Sequence, residues 1–262
     1  MPAPLSPGDI AKQAAARHAT GFVENGMKLG LGTGSTAAFM VQALGARIRA
    51  EGLQVTAVAT STRTAELARK VGVPVVSLDE AKWLDLTIDG ADEVDPHLHL
   101  IKGGGAALLQ EKIVATASDR MIVIADAAKQ VSQLGAFPLP VEIVPFGWQT
   151  TKALIEELLV DMEVLNRDCT LRMAGDAPLL TDERNYIVDL DLHWIGNPRQ
   201  MALALNQIPG VVENGLFLDI CDTLVIGHAD GRVDVIHAEV SRAGADEAQF
   251  FATPNIFADL ED

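Results

Sequence analysis

Residues 87–112 combine acids, a lysine and glycines at a spacing that suits proton-transfer chemistry. A cluster of carboxylates follows a short apolar run, and Lys102 then opens a triple glycine. Glu111 follows that lysine within a predicted helix. A carboxylate can move a proton, an ammonium can hold developing negative charge, and glycine lets the backbone approach a ligand closely. The stretch therefore predicts a reaction centre, and its first candidate acids and bases are Asp89, Asp92, Glu93 and Asp95.

A second candidate segment, Gly32-Thr33-Gly34-Ser35-Thr36, joins a predicted strand to a predicted helix. Its hydroxyls and the free amides at the start of a helix suit a phosphate or a polyol. The segment is neither a Walker A loop nor a complete GxGxxG motif, so an ordinary tight turn is the alternative. Lys129 follows another predicted strand and is a third candidate, for which a plain surface lysine is the alternative.

The acidic run DGADEVD raises the alternative of a metal site. Its spacing does not match the EF-hand loop, and no histidine stands nearby at the helical i, i+4 spacing. We therefore predict that the site needs no metal. A turn that only solvates its acids is a further alternative, but it leaves the adjacent lysine and triple glycine unexplained.

The elements that must position these residues alternate between short apolar strands and helices. This order is typical of a parallel sheet with right-handed crossovers, in which ligands bind at the carboxyl ends of the strands. Both candidate segments lie at that end. The predicted strands cover residues 27–31, 55–59, 74–78, 84–88 and 121–126, and the predicted helices cover 36–48, 64–71 and 106–117, after a first helix that begins at Ser6 and Pro7.

From about residue 131 the pattern changes to that of a smaller α+β unit. Strands are predicted at residues 141–146, 170–174 and 185–192, with helices at 150–159 and 197–208. The segments VVENGLFLD and TLVIG are then expected to return to the first sheet. The predicted fold class is α/β, and its three parts are a Rossmann-like domain of residues 1–130 and 207–236, an inserted smaller α+β domain of residues 131–206, and an acidic tail of residues 237–262.

Charge and composition narrow the classes of partner. The chain has 262 residues and a formal net charge of −16, which argues against nucleic acid or an anionic membrane as partner. No apolar run approaches the roughly 20 residues of a membrane span, and no signal peptide is evident. The two cysteines, Cys169 and Cys221, lie far apart, so no disulfide framework is expected. We expect a cytoplasmic protein whose phosphate site, if it has one, is built locally.

Five motifs occur in a characteristic order and spacing: GLGTGST, TIDGADEVD, KGGGAAL followed by EK, VEIVPF, and NQIPGVVENGLF. In these motifs the chain resembles type A ribose-5-phosphate isomerase over about residues 8–230. The resemblance implies interconversion of D-ribose 5-phosphate and D-ribulose 5-phosphate in the non-oxidative branch of the pentose phosphate pathway. It also implies no metal, no organic cofactor, and a homodimer or homotetramer of a Rossmann-like domain that carries a smaller α/β domain.

The resemblance also assigns roles to residues. Glu111 falls where the family has its catalytic base, which would move a proton between C2 and C1 through a cis-enediolate. From the chemistry of this reaction we further predict that Lys102 and its glycine loop hold the negative charge, and that Asp89 moves the hydroxyl proton and assists ring opening. The phosphate could sit near Ser35 and Thr36, or near Lys129 and the second domain. The implied substrate-binding residues are Thr33, Gly34, Ser35, Thr36, Asp89, Gly90, Ala91, Asp92, Lys102, Gly103, Gly104, Gly105 and Lys129.

Two departures and three alternatives stay open at this point. Leu109 and Gln110 precede Glu111 where relatives often carry Thr-Arg, and Asp-Ala-Ala precedes Lys129 where a serine often stands. One alternative is a non-catalytic sugar-phosphate sensor on the same scaffold. Another is a related enzyme, such as an amino-sugar phosphate isomerase/deaminase or a CoA transferase. The third is metal-assisted isomerisation, which a chelator would abolish.

Overall fold

The computed structural model describes residues 5–238, which form seven α-helices and fifteen β-strands. The helices are α1 (Pro7–Thr20), α2 (Ser35–Glu51), α3 (Thr62–Val71), α4 (Leu78–Ala81), α5 (Leu108–Thr116), α6 (Trp148–Val160) and α7 (Pro198–Leu205). The strands are β1 (Lys28–Leu31), β2 (Thr56–Ala59), β3 (Leu86–Gly90), β4 (Glu93–Val94), β5 (Leu100–Ile101), β6 (Met121–Asp126), β7 (Leu139–Ile143), β8 (Asp168–Leu171), β9 (Met173–Ala174), β10 (Ala177–Pro178), β11 (Tyr186–Asp191), β12 (Val211–Asn214), β13 (Leu216–Phe217), β14 (Thr223–Gly227) and β15 (Val233–His237). A 3₁₀ turn, Ala127–Lys129, follows β6.

A six-stranded sheet forms the larger layer, with strand order β15-β14-β6-β3-β1-β2. Its strands run parallel, except that β15 pairs antiparallel with β14 at one edge. Strand β6 is apolar along most of its length, so it buries residues on both faces of the sheet. Ile122 and Ile124 pack under helices α1, α2 and α3, whereas Met121 and Val123 belong to the core on the opposite face.

A second, antiparallel sheet has the strand order β12-β7-β11-β8. Helices α6 and α7 cover it through Ile155, Leu159, Met201 and Leu205, which are buried with the strand residues in one apolar cluster. Positions along β8 alternate between exposed and half-buried, which is typical of a strand with one solvated face.

A small three-stranded sheet, β13-β5-β4, fixes the chain just before the triple glycine. Strand β5 pairs antiparallel with both neighbours. The next residue, Lys102, donates its backbone N–H to the carbonyl oxygen of Gly215 at 2.9 Å. The start of the glycine loop is therefore tied to a much later part of the chain.

The α/β class and the parallel sheet predicted from the sequence are confirmed. The first helix begins as predicted, because the Ser6 hydroxyl accepts from the N–H of Asp9 and Pro7 occupies the first turn. The division of the chain into domains stays a prediction. Apart from His237 and Ala238, the predicted acidic tail lies outside the described residues. No helix among residues 5–238 has the length and apolarity to cross a membrane.

Two element predictions were wrong. Residues 74–78 make one bridge, between Ala57 and Val75, and no strand, because Ser77 and Glu80 form a capping box that starts α4. The segment VVENGLFLD was expected in the first sheet, but Val211–Asn214 pairs with β7 and Leu216–Phe217 with β5. Only the following segment, TLVIG, joins the six-stranded sheet, as β14. Apolar strand patterns do not specify which edge a strand will pair with.

Candidate active site

A polar cavity of about 130 Å³ opens at the carboxyl ends of the parallel strands. Its walls come from the loops after β1, β3 and β5, from α1 and α5, and from the turn after β6. This is the edge at which parallel sheets bind ligands. Thirteen residues line it: Lys12, Thr33, Gly34, Ser35, Thr36, Gly90, Ala91, Asp92, Lys102, Gly103, Gly105, Glu111 and Lys129.

One buried ammonium lies between two buried carboxylates at this cavity. Lys102 Nζ is 3.0 Å from Asp89 Oδ2 and 3.4 Å from Glu111 Oε2. The side chains of Lys102, Asp89 and Glu111 are 2%, 0% and 4% exposed, so solvent screens their charges little. Neither of those two oxygens makes a hydrogen bond within the described chain. Both therefore retain lone pairs that could accept a proton from a ligand.

The backbone around Asp89 fixes the direction of its carboxylate. Oδ1 accepts from the N–H of Thr33 at 3.0 Å and from that of Gly90 at 2.7 Å, which leaves Oδ2 for the ammonium. Gly32 permits this approach of the two strand ends, since a Cβ there would lie 1.9 Å from Asp89 Oδ1. Residue 32 must therefore be a glycine, because any side chain there would overlap the Asp89 carboxylate.

A cluster of buried hydroxyls holds Thr33 from behind. Its Oγ1 lies 2.7 Å from Ser61 Oγ, 2.8 Å from Thr60 Oγ1 and 3.1 Å from Thr64 Oγ1. Thr64 also donates to the carbonyl oxygen of Gly32 at 3.0 Å. Ser61 and Thr64 follow β2 and begin α3, where Ser61 accepts from the N–H of Thr64 as a helix cap. These two residues therefore cap a helix and also support the wall of the site.

The ammonium of Lys102 is held by three kinds of contact. Nζ donates to the carbonyl oxygen of Gly90 at 2.6 Å and faces both carboxylates. It also lies 5.4 Å from the centre of the buried Phe217 ring, within the range of a cation–π contact. These contacts fix Lys102 Nζ beside Glu111 and beneath the cavity.

Burial and charge shift the pKa of each member of this group. Burial, followed by the nearby charge of Asp89, raises the pKa of Glu111 to about 8. Burial also raises the pKa of Asp89. Burial alone would lower the pKa of Lys102, but the carboxylates of Asp89 and Glu111 outweigh it and raise that pKa to about 12. The lysine thus stays charged, while Glu111 can exchange a proton near neutral pH.

The glycine loop after Lys102 presents backbone amides to the same region. Gly103 has a φ of +109°, a conformation that favours glycine. The N–H of Gly104 donates to Asp92 Oδ2 at 2.8 Å. On the other side of the loop, Arg172 donates to the carbonyl oxygen of Gly103 at 2.8 Å. Arg172 directly follows β8 of the second, four-stranded sheet, hereafter the smaller sheet. The loop is therefore held from two sides.

A separate pole of the cavity suits an anion. Helix α2 starts there, with Gly34 at the cap position and no side-chain cap among the described residues. The first amides of α2 and the hydroxyls of Ser35 and Thr36 lie at the positive end of the helix dipole. Lys12 of α1 and Lys129 line the same cavity.

Most of the residues predicted for the site line this one cavity. Of the predicted set, Asp89 and Gly104 are not among the lining residues: Asp89 is buried beside Lys102, and Gly104 donates its N–H to Asp92. The two segments that the sequence offered for a phosphate, Ser35-Thr36 and Lys129, face the same space. Sequence reasoning missed Lys12 and Arg172, since neither belongs to a motif. The sequence placed Gly32 in the GLGTGST loop, but it did not indicate that the lack of a side chain there makes room for Asp89.

The acidic run DGADEVD had also raised the alternative of a metal site. Among residues 5–238, no group of three or more His, Cys, Asp or Glu side chains is arranged to hold a metal ion. Within the acidic run, Asp89 instead pairs with Lys102, and Asp92 accepts from the N–H of Gly104 in the glycine loop. Independence of the activity from metal remains a prediction.

Comparison with known proteins identifies the family. Residues 56–231 match the model of "Ribose 5-phosphate isomerase A (phosphoriboisomerase A)". The ribose-5-phosphate isomerase A of Cereibacter sphaeroides (strain ATCC 17023) is 69% identical over 262 residues, which is 100% of both chains.

Two solved structures share the fold. The ribose 5-phosphate isomerase A of Methanocaldococcus jannaschii aligns with a TM-score of 0.81 at 37% identity, over 88% of this chain and 100% of that one. A D-ribose-5-phosphate isomerase in complex with phospho-erythronic acid aligns with a TM-score of 0.80 at 40% identity, over 86% of this chain and 97% of that one. The buried lysine and its two carboxylates thus belong to a chain that is a member of the ribose 5-phosphate isomerase A family.

Proposed function

We propose that this chain interconverts D-ribose 5-phosphate and D-ribulose 5-phosphate by metal-independent proton transfer through a cis-enediolate. Family membership supports the reaction. The observation that carries the mechanism is the single ammonium of Lys102 between the buried carboxylates of Asp89 and Glu111. A relative that binds phospho-erythronic acid, a phosphorylated sugar acid, supports the class of substrate.

Glu111 is the proposed base. In its ionised form it removes the proton from C2 of the open-chain aldose, and it returns that proton to C1 from the same face of the enediolate. Glu111 lines the cavity, and its buried Oε2 has no hydrogen-bond partner within the described chain. A pKa of about 8 suits both steps, because a group that titrates near the working pH can accept and release the proton.

Lys102 and the glycine loop hold the negative charge that develops on the carbonyl oxygen. A charged donor in a water-poor site stabilises a transition state because its orientation is fixed before the reaction. Lys102 is fixed by Gly90, Asp89 and Phe217, and its raised pKa keeps it protonated. The amides of the glycine loop supply further donors.

The remaining acids assist the hydroxyl protons. Asp89 moves the proton between O1 and O2 and assists ring opening. Its Oδ2, which faces Lys102 but makes no hydrogen bond within the described chain, and its raised pKa suit this role. Asp92 orients the sugar or the loop, since it lines the cavity and accepts from the N–H of Gly104. Each proton in the scheme thus has a titratable group beside the cavity.

The phosphate of the substrate binds at the start of α2. The amides of that helix, the hydroxyls of Ser35 and Thr36, and the ammonium groups of Lys12 and Lys129 border this pole. The described lining residues run from Lys12 to Lys129 and include none from the second sheet or its helices, which favours this pole over one made with the second domain.

Assembly and location belong to the same proposal. A homodimer or homotetramer fits the apolar side chains that the second sheet and its helices expose, among them Phe146 at 93% and Leu165 at 72%. A cytoplasmic location fits the two cysteines, which are free thiols.

The deciding experiment measures conversion of ribose 5-phosphate to ribulose 5-phosphate in the presence of EDTA, for the wild type and Glu111→Gln. We expect robust wild-type turnover and a fall in kcat of about 10²- to 10⁴-fold in the variant, with KM nearly unchanged, since the amide cannot accept the proton.

Glu66→Gln is the matched control. It makes the same chemical change at an exposed residue of helix α3 and should leave kcat unaltered. Loss of wild-type turnover on adding EDTA would indicate metal-assisted isomerisation. A folded wild type that binds the sugar phosphate without converting it would instead indicate a sensor. A large rise in KM with normal kcat in Glu111→Gln would make Glu111 a binding residue.

A further inference from the structure

One arginine of the smaller sheet reaches the glycine loop of the site. Arg172 follows β8, and its Nη1 donates to the carbonyl oxygen of Gly103 at 2.8 Å and to that of Gly104 at 3.4 Å. Its Nε donates to Asp189 Oδ2 at 2.8 Å, and its Nη2 pairs with the other oxygen of the same carboxylate. Asp189, on β11, therefore fixes the guanidinium plane while Nη1 extends to the loop.

The direction of these carbonyl groups determines where the loop amides point. In a trans peptide the C=O and N–H of one unit point in opposite directions. With the carbonyl of Gly103 towards Arg172, the N–H of Gly104 faces Asp92, to which it donates at 2.8 Å. With the carbonyl of Gly104 also towards Arg172, the N–H of Gly105 faces away from the arginine, and Gly105 lines the cavity.

Glycine peptide units do not keep such an orientation unaided. Three successive glycines give this segment the widest choice of backbone conformation, and Gly103 already adopts a φ of +109°. A rotated peptide unit would turn a carbonyl oxygen towards the developing negative charge. Within the loop, the N–H of Ala106 donates to the carbonyl oxygen of Gly103 at 3.0 Å. Arg172 adds a charged donor to that carbonyl and also reaches the carbonyl oxygen of Gly104, so it restricts both peptide units.

We propose that Arg172 is a positioning residue for the isomerisation, and that it acts by holding the carbonyl groups of Gly103 and Gly104. It contacts the loop and does not line the cavity, so it works through the backbone. A guanidinium on these carbonyls also polarises the two peptide units and strengthens their N–H groups as donors. The inference rests on the proposed role of the glycine loop in holding the oxyanion, and it gives the smaller sheet a part in the reaction.

A second set of contacts keeps the smaller sheet in place beside the site. Asp182 Oδ2 accepts from the N–H of Thr62 at 2.7 Å, at the start of α3. Glu183 pairs with the side chain of Gln110, the neighbour of Glu111. These contacts come from the loop before β11, the strand that carries Asp189. They fix the base from which Arg172 extends.

The test compares steady-state kinetics of Arg172→Met and Arg172→Lys with the wild type. In Arg172→Met we expect kcat to fall about ten- to hundredfold, less than the loss of a direct oxyanion donor, while KM for ribose 5-phosphate changes less than about threefold. Arg172→Lys should recover part of kcat, because its ammonium keeps a donor for one carbonyl. Added guanidinium ion, at concentrations that leave the protein folded, should raise kcat in Arg172→Ala.

Arg199→Met is the control for loss of an arginine–aspartate pair. The described hydrogen bond of Arg199 goes to Asp219 and not to the loop, so kcat should stay at the wild-type value. Thermal unfolding of each variant separates lost positioning from lost fold. An Arg172→Met enzyme that folds and keeps kcat within about twofold of the wild type overturns the proposal.

Asp189→Asn decides the matter if Arg172→Met does not fold. This change weakens the pair that orients the Arg172 guanidinium but keeps the charge of the arginine. A fall in kcat of about threefold or more at constant KM supports the proposal, and an unchanged kcat overturns it. The proposed function fails in a different way. If the wild type turns over and Glu111→Gln does not, the reaction and its base stand whatever Arg172 does.

Discussion

At the scale of single residues, the buried group of Lys102, Asp89 and Glu111 holds one more carboxylate than ammonium. Lys102 lies within 3.4 Å of both Asp89 and Glu111, and all three are buried. One ammonium cannot neutralise two carboxylates, so ionisation of the second is opposed by burial and by the first. Burial, followed by the charge of Asp89, raises the pKa of Glu111 to about 8, far above that of an exposed glutamate.

The pH dependence of kcat/KM should show this imbalance. Glu111 must be ionised to act as a base. We therefore expect kcat/KM to fall about tenfold for each pH unit below about pH 8, so that the acidic limb of the profile reports the pKa of Glu111. In Asp89→Asn the negative charge that raises the pKa of Glu111 is gone, so the limb of the residual activity should move to lower pH. A limb near pH 6, where a phosphate ester titrates, belongs to the substrate and should not move. A Glu111 limb that stays in place in Asp89→Asn would contradict this account.

At the scale of elements, the carboxyl ends of β1 and β3 lie so close that only a residue without a side chain fits at position 32. Gly32 follows β1, and its N–H donates to the carbonyl oxygen of Ile88 at 3.0 Å. That contact brings Thr33 to Asp89 and continues into the hydroxyl cluster at the start of α3. Gly32 therefore fixes the position of the Asp89 carboxylate relative to the end of β1.

Gly32→Ala should damage both activity and stability. The added Cβ would lie 2.5 Å from Asp89 Cα, so the backbone of β3 must shift. We expect a loss of about 1–3 kcal/mol in the free energy of unfolding, together with a larger proportional loss in kcat/KM than in substrate binding. Urea titration and steady-state kinetics measure the two effects.

Gly8→Ala is the matched control for this substitution. It places a Cβ in an exposed turn of α1, where the nearest atom, Ser6 Oγ, lies 4.0 Å away. It should raise the free energy of unfolding by about 0.5–1 kcal/mol and leave activity alone, since alanine is favoured over glycine in helices. Equal kinetics for Gly32→Ala and the wild type would show that the strand ends tolerate more volume than the structure implies.

Sequence patterns determined the larger part of these elements but not their tertiary partners. The strands and helices around residues 28–59 and 121–126 followed from local periodicity, and the motif residues lie at strand ends that a parallel sheet brings together. Lys12 lies in a helix that reads as an ordinary amphipathic one, so nothing local links it to the cavity. Arg172 reaches Gly103 only because two sheets meet, which a period along the chain cannot encode.

At the scale of the whole molecule, the described residues contain every proposed component of the reaction. The residues proposed to act run from Lys12 to Asp189, all within the described part of the chain. The edge strand β15 ends at His237, next to β14 in the antiparallel pair that closes the larger sheet. The acidic segment beyond it has no role in the proposed mechanism.

A chain that ends after Ala238 should therefore remain active. We expect its kcat/KM to stay within about twofold of the full-length value, because surface changes away from a site have small effects. A chain that ends after Asp230 is the control. It lacks β15, leaves β14 without its antiparallel neighbour, and should unfold at a lower temperature. A loss of activity well beyond twofold in the first truncation would assign the tail a function.

The bond between the N–H of Lys102 and the carbonyl oxygen of Gly215 has a consequence for biosynthesis. During translation the lysine, the glycines and Glu111 leave the ribosome long before the residue that fixes the start of their loop. Domains fold as units while the chain is made from its N-terminus, and contacts between distant residues form late. A nascent chain can therefore hold β1, β2, β3 and β6 without a working reaction centre, because β14 and β15 of the larger sheet also follow Gly215. The start of the glycine loop is fixed only after Gly215 has been synthesised.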